Sequence, residues 1–125
     1  MQIETHTATF SFTEDGILVV VFKNNDLEID LEEAKAQVAA AEKLTNKQYV
    51  PVLIDARKSM HDLTKEAKKY IAEYSLKKAE AILVKELHQR IIASFYLKVS
   101  ASHSNHPMKV FTDEAEAMKW LRLCK

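Results

Sequence analysis

The chain has 125 residues, 47% apolar and 29% charged, which suits one compact domain over residues 1–125 and excludes a disordered chain. Lys plus Arg and Asp plus Glu both count 18, so no bulk field draws the protein to nucleic acid or to an anionic membrane. Cys124 is the single cysteine; without a second thiol, a signal-like N-terminus or an apolar run of about 20 residues, the expected setting is a reducing cytoplasm.

From His6 to Phe12, Ala8, Phe10 and Phe12 alternate with Thr7, Thr9 and Ser11, the period of a half-buried strand, with His6 partly covered. Thr13-Glu14-Asp15-Gly16 then turns the chain, and Gly16, the only glycine, stands where a hairpin needs positive φ. Ile17 to Phe22 is continuously apolar, which predicts a strand covered on both faces inside the sheet. Asp30 precedes Glu33 by three positions, the spacing of a reciprocal capping box, so a helix is expected from Leu31. Leu31, Ala34, Val38, Ala41 and Leu44 form its inward stripe, and Thr45-Asn46-Lys47 closes it.

The apolar run Val50-Pro51-Val52-Leu53-Ile54 ends at Asp55 and predicts a third, buried parallel strand, with Pro51 tolerated near its start. A second helix opens at Thr64, with Ala67, Tyr70, Ile71 and Tyr74 on its inner face and lysines outside. Ala79 to Val84 is expected as a strand although its alanines also favour helix. Leu87, Ile91, Phe95 and Val99 recur every four residues, widened by Ile92, and predict a third helix with that stripe against the sheet. His106-Pro107 interrupts the pattern, Met108 to Phe111 is a short strand, and Thr112-Asp113-Glu114-Ala115-Glu116 opens a last helix whose inner face carries Ala117, Trp120, Leu121 and Cys124. The order ββαβαβαβα predicts an α/β fold with a single mixed five-stranded sheet and flanking helices, the hairpin forming its antiparallel edge.

Open sheets expose working loops at the carboxyl ends of their parallel strands. There Asp55, Arg57, His61 and Asp62 would gather a carboxylate, a guanidinium and an imidazole, a set able to bind an anion or move a proton. The plainer reading pairs Arg57 with Asp55 and leaves the rest as loop polarity. Ser59 has no evident base beyond His61. The pair His103 and His106 lacks the further ligands that a zinc site needs, so no metal is expected. One glycine cannot build a Rossmann or Walker phosphate cradle, no nucleophile elbow is present, and no cofactor is expected. The aromatic residues suit core packing, except that Tyr96 beside Phe95 falls on a different face and marks a candidate interface. Lys65, Lys68, Lys69, Lys77 and Lys78 read as a solvated face, as do His88 and Arg90.

The strand ending Leu53-Ile54-Asp55 and the closing unit Val110-Phe111-Thr112-Asp113-Glu114-Ala115-Glu116-Ala117-Met118-Lys119-Trp120-Leu121 make the chain resemble the STAS-like, or SpoIIAA-like, domains, relatives of bacterial anti-sigma-factor antagonists. The second segment is most similar to small uncharacterised bacterial members. The resemblance implies a binding module that docks protein partners through the loop after the third strand and the helix that follows. In antagonists that loop carries an Asp-Ser-Ser-Gly-type motif whose serine a partner kinase phosphorylates. Here Ala56-Arg57-Lys58-Ser59-Met60-His61-Asp62-Leu63-Thr64 stands instead. Thr64 is the hydroxyl nearest the matching position and Ser59 the next, so these are the candidate phosphorylation sites; a phosphate on Thr64 would meet the free N–H groups of the first helical turn, and the plain alternative is that Thr64 caps the helix.

The expected function is therefore a non-enzymatic cytoplasmic interaction module with a protein partner, capable of self-association, with Asp55, Arg57, Ser59, His61 and Thr64 as its candidate binding residues. The alternative is a small-ligand binder or small enzyme that uses the same loop.

Overall fold

The computed structural model describes all residues except 101–105, and of Phe95, Tyr96, Val99 and Ser100 the backbone alone. The elements run β1 (Gln2–Glu4), β2 (Ala8–Phe12), β3 (Leu18–Phe22), α1 (Leu31–Thr45), β4 (Val50–Asp55), α2 (Lys65–Tyr74), β5 (Lys77–Leu83), α3 (Leu87–Ser100), β6 (Met108–Phe111) and α4 (Glu114–Leu123). The mixed α/β sheet has the expected order with one strand more than the five foreseen, since it is six-stranded and laid out β1-β2-β3-β4-β5-β6. The addition is β1, which pairs Ile3 with Phe10 antiparallel and caps the hairpin border. β2 and β3 are antiparallel, whereas β3, β4, β5 and β6 are parallel. The strand expected third is thus β4, an inner strand.

Local chemistry explains the boundaries. Gly16 turns the β2–β3 hairpin at φ 85°, where a Cβ would be strained. Asp30 caps α1 by accepting from Glu33 N at 2.9 Å, and Asn46 ends it in the left-handed region at φ 56°. Thr64 caps α2 through Ala67 N at 3.1 Å. Asp113 caps α4 through Ala115 N at 2.9 Å.

The two sheet faces are unequally covered. On one, Phe10, Leu18, Val20, Val50 and Val52 pack against α1, and Ile54, Ile82 and Val110 against Ala93 and Leu97 of α3. α2 lies over α1, with Ile29, Ala34 and Ala67 fully buried between them. On the other face α4 alone seals Leu53, Ala79, Ala81, Leu83 and Phe111 with Ala117 and Leu121. Alanines in β5 let α4 approach closely.

Five expectations change. Glu33 does not reach back to complete a capping box; its carboxylate accepts from the N–H and hydroxyl of buried Thr7, and Gln37 donates to the same hydroxyl. Leu87, Ile91 and Ile92 point to solvent rather than to the sheet, because α3 lays Gln89, Ala93 and Leu97 inward. Phe95 and Val99 of that expected stripe, and Tyr96, lie outside the described side chains. Tyr74 is half exposed, stacked on Tyr70 at 4.6 Å, and His6 is exposed rather than partly covered. Lys77 leaves the solvated face to pair with buried Glu80 at 3.2 Å.

Among the described residues no helix is long and apolar enough to cross a membrane.

Candidate functional site

The carboxyl rim of the parallel strands brings two loops together: residues 23–30 after β3 and residues 56–64 after β4. Their backbones meet in a short parallel bridge, with Ile29 N donating to Asp62 O at 2.9 Å and Thr64 N to Ile29 O at 3.0 Å. His61 adds the second fastening. It is buried, with Nδ1 at 2.7 Å from Leu27 O and Nε2 at 2.9 Å from Lys23 O. Only a ring carrying both protons donates to both carbonyls, whereas the neutral ring holds one at a time. Phe22 meets the imidazole edge-on at 5.3 Å, and Ser59 Oγ lies 3.4 Å from Asn25 O. The two loops are therefore one clasped unit.

Asp55 and Arg57 form a separate group on the α4 side. Arg57 Nε and Nη2 reach the two oxygens of Asp55 at 3.0 and 2.8 Å, and Arg57 N donates to Asp55 Oδ1 at 3.1 Å. Burial disfavours the Asp55 charge, but its hydrogen bonds from Arg57 and that cation's field outweigh it, and the carboxyl is held below its ordinary value. Arg57 also reaches Glu114 Oε1 at 2.8 Å, in the first turn of α4. Its hydrogen bonds with Asp55 raise the guanidinium further above its already high value.

The structure thus places the five candidates at one rim but divides their work. Asp55 and Arg57 pair as the plainer reading expects. His61 bonds to neither of them: its nitrogens face Leu27 O and Lys23 O of the 23–30 loop. Asp62 is exposed and gives its carbonyl, not its carboxylate, to the clasp. Thr64 occupies the cap position, half-buried, and Ser59 is half-buried beside Asn25.

Sequence reasoning passed over Gln89. Its side-chain oxygen accepts from Lys85 N at 2.8 Å and Glu86 N at 3.1 Å, satisfying the start of α3, while its amide donates to Arg57 O at 3.2 Å. Glu80 was passed over too. It is buried in β5, with Lys77 Nζ at 3.2 Å and His106 Nε2 at 3.1 Å. Burial opposes its charge, and Lys77 with His106 overcome that and hold the carboxyl below its ordinary value. Each also has a partner far away in the chain, Arg57 for Gln89 and His106 for Glu80, which no local pattern marks. Among the described residues no group of three or more His, Cys, Asp or Glu is placed to hold a metal ion; His103 lies outside them. A concavity of about 910 Å³ lies between β1 and α1 and meets the 23–30 loop at Lys23 and Asp30; Glu4, His6, Glu32 and Lys43 also line it.

Comparison with known proteins returns a family model described as a domain of unknown function, DUF7793, which matches residues 10–125. No curated protein matches. Among solved structures, an uncharacterized DUF3478-family protein from Shewanella loihica PV-4 with a SpoIIAA-like fold is similar over 97% of this chain and 98% of that one, at 17% identity and a TM-score of 0.67. At that identity the likeness shows the fold alone, and the fold is SpoIIAA-like. A protein of unknown function from Arthrobacter sp. FB24 aligns over 97% of both chains at 20% identity, with a TM-score of 0.34, too low to carry the fold.

Proposed function

The chain belongs to the DUF7793 family, and on that premise we propose that it is a non-enzymatic protein-interaction module that docks a partner through the clasped rim and the start of α2. One observation carries this reading. The polar side chains there that are best suited to chemistry are already engaged by the protein itself: Asp55 by Arg57, Arg57 by Asp55 and Glu114, His61 by two carbonyls, and Thr64 by Ala67 N. What they build is a fixed surface. Around it Asp26, Leu27, Glu28, Lys58, Asp62 and Lys65 are exposed, a mixed-charge ring with one half-exposed leucine. A partner that meets a preorganised loop pair loses little ordering entropy on docking, which is how a small surface becomes specific.

The test is site-directed photo-crosslinking in the native cell. A photoreactive residue at Lys58, on the rim, is expected to yield a discrete protein adduct, whereas one at exposed Lys35 on α1 is not. An adduct of the same size from both positions, or none from Lys58, overturns the reading.

A further inference from the structure

α3 is turned inside out with respect to its own sequence. The residues that make its apolar stripe are the ones left in water: Leu87 is 75% exposed, Ile91 61% and Ile92 53%. Its inner side is instead Gln89, Ala93 and Leu97, and Gln89 is spent on fastening the helix start to the Arg57 carbonyl. Scattered exposed leucines are ordinary, but three branched aliphatic side chains on one outer helix face are the mark of an association surface.

We propose that this outer face of α3 is a second docking surface, apart from the rim, and that its occupant is an amphipathic helix of another protein whose apolar stripe is flanked by carboxylates. The charge on α3 selects the partner. Arg90 and Lys98 are both exposed, and no Asp or Glu occurs anywhere from Leu87 to Ser100. The apolar strip therefore carries cations without a compensating acid on the helix, and an acidic flank supplies the missing sign. The stretch from Leu87 to Lys98 measures about 16 Å along the helix axis, three turns, which matches a partner helix read at every third or fourth residue.

The same charges disfavour the other occupants. In a second copy of this chain, antiparallel pairing centred on Ser94 sets Arg90 of one copy against Lys98 of the other, and parallel pairing sets each cation against its twin. A membrane surface needs a concentrated basic patch, whereas this helix offers two cations on a chain whose 18 basic and 18 acidic residues cancel.

The experiment is a fluorescence-anisotropy titration of the full chain with a labelled helical peptide of about 12 residues, leucines at three- and four-residue spacing and glutamates on both flanks. A matched peptide with lysine flanks is the control. Saturable binding of the glutamate peptide is expected, weakened roughly tenfold or more by the Leu87→Asp, Ile91→Asp pair and by the lysine flanks. The Arg90→Glu, Lys98→Glu variant keeps the apolar strip, so it decides the matter even if the aspartate variant misfolds; it should now prefer the lysine peptide. Absent binding, or equal binding of both peptides, overturns the proposal. So does a wild-type dimer in sedimentation that the charge-reversed variant abolishes, or cosedimentation with phosphatidylserine vesicles that the same variant loses. Lys58 crosslinking reports on the rim alone, so failure of either surface is visible without the other.

Discussion

Replacing His61 with Phe tests whether the rim is one unit. The phenyl ring keeps the volume and the edge contact with Phe22 and removes only the two nitrogens that reach Leu27 O and Lys23 O at 2.7 and 2.9 Å. The neutral ring donates to one carbonyl at a time; losing that hydrogen bond costs about 1 kcal/mol net, and more when the abandoned carbonyl stays dry, so the variant should lose about 1–3 kcal/mol. With a urea slope of about 2 kcal/mol per molar, the unfolding midpoint should fall by roughly 0.5–1.5 M at unchanged slope. Hydrogen exchange then locates the loss. The amides of Ile29 and Thr64, which bridge the loops at 2.9 and 3.0 Å, should lose protection together and beyond the global decrease, while α4 amides such as Ala117 follow the global change only. A midpoint shift worth under about 0.5 kcal/mol, or loosening of one loop while the other holds, would refute the clasp.

Glu33→Ala removes the acceptor for the Thr7 N–H at 2.9 Å and for the Thr7 hydroxyl, two bonds to a charged group, and should cost about 3–5 kcal/mol in denaturation; Glu33→Gln, which keeps an acceptor oxygen, should cost less. Thr64→Ala should destabilise by about 1 kcal/mol through loss of the Ala67 cap, and Thr64→Ser should restore most of it. Acid should unfold the protein with a definite sign, because Asp15, Glu33, Asp55 and Glu80 all have carboxyls held below their ordinary values, Asp15 to about 2 by Thr13 and Arg122. A folded-state pKa below the unfolded one adds stability that is complete above the unfolded value, 3.8 for Asp and 4.5 for Glu, and fades as pH falls through the folded value. Urea midpoints should therefore drop steadily from pH 4.5 towards 2; a flat or rising profile over that window contradicts the assignment.

The parallel strands were legible because burial on both faces leaves continuous apolar runs, as in Val50 to Ile54, and the hairpin because a single glycine stood where positive φ was needed. β1 was not, since three residues are too few to display a period of two. α3 was legible as a helix but not in its orientation. A stripe of large aliphatic residues shows where the apolar side is, whereas docking on the sheet was settled by the small Ala93 and by Gln89 bonding to Arg57 O. The buried polar groups gave no local signal for the same reason: Glu33 meets Thr7 across 26 residues, Gln89 meets Arg57 across 32 and His61 meets Lys23 across 38. Asp55 with Arg57 was legible because the pair is two residues apart. His61 was drawn into their company by nearness in sequence, though its ring faces the other loop.

The layering of the sheet explains why the rim is closed. A ligand crevice forms at a sheet's carboxyl end where the loops after neighbouring strands leave for opposite faces. The connections that follow β3, β4 and β5 all lead to one side, with α1 and α3 on the sheet and α2 over α1. Only after β6 does the chain cross, taking α4 to the opposite face. The one divergence therefore lies between the starts of α3 and α4, and Arg57 spans it: its carbonyl accepts from Gln89 at the start of α3, and its guanidinium holds Glu114 at the start of α4, steadied by Asp55. Where this architecture would otherwise open a crevice, the chain has placed a side chain of its own, and Arg57 joins the starts of α3 and α4 there.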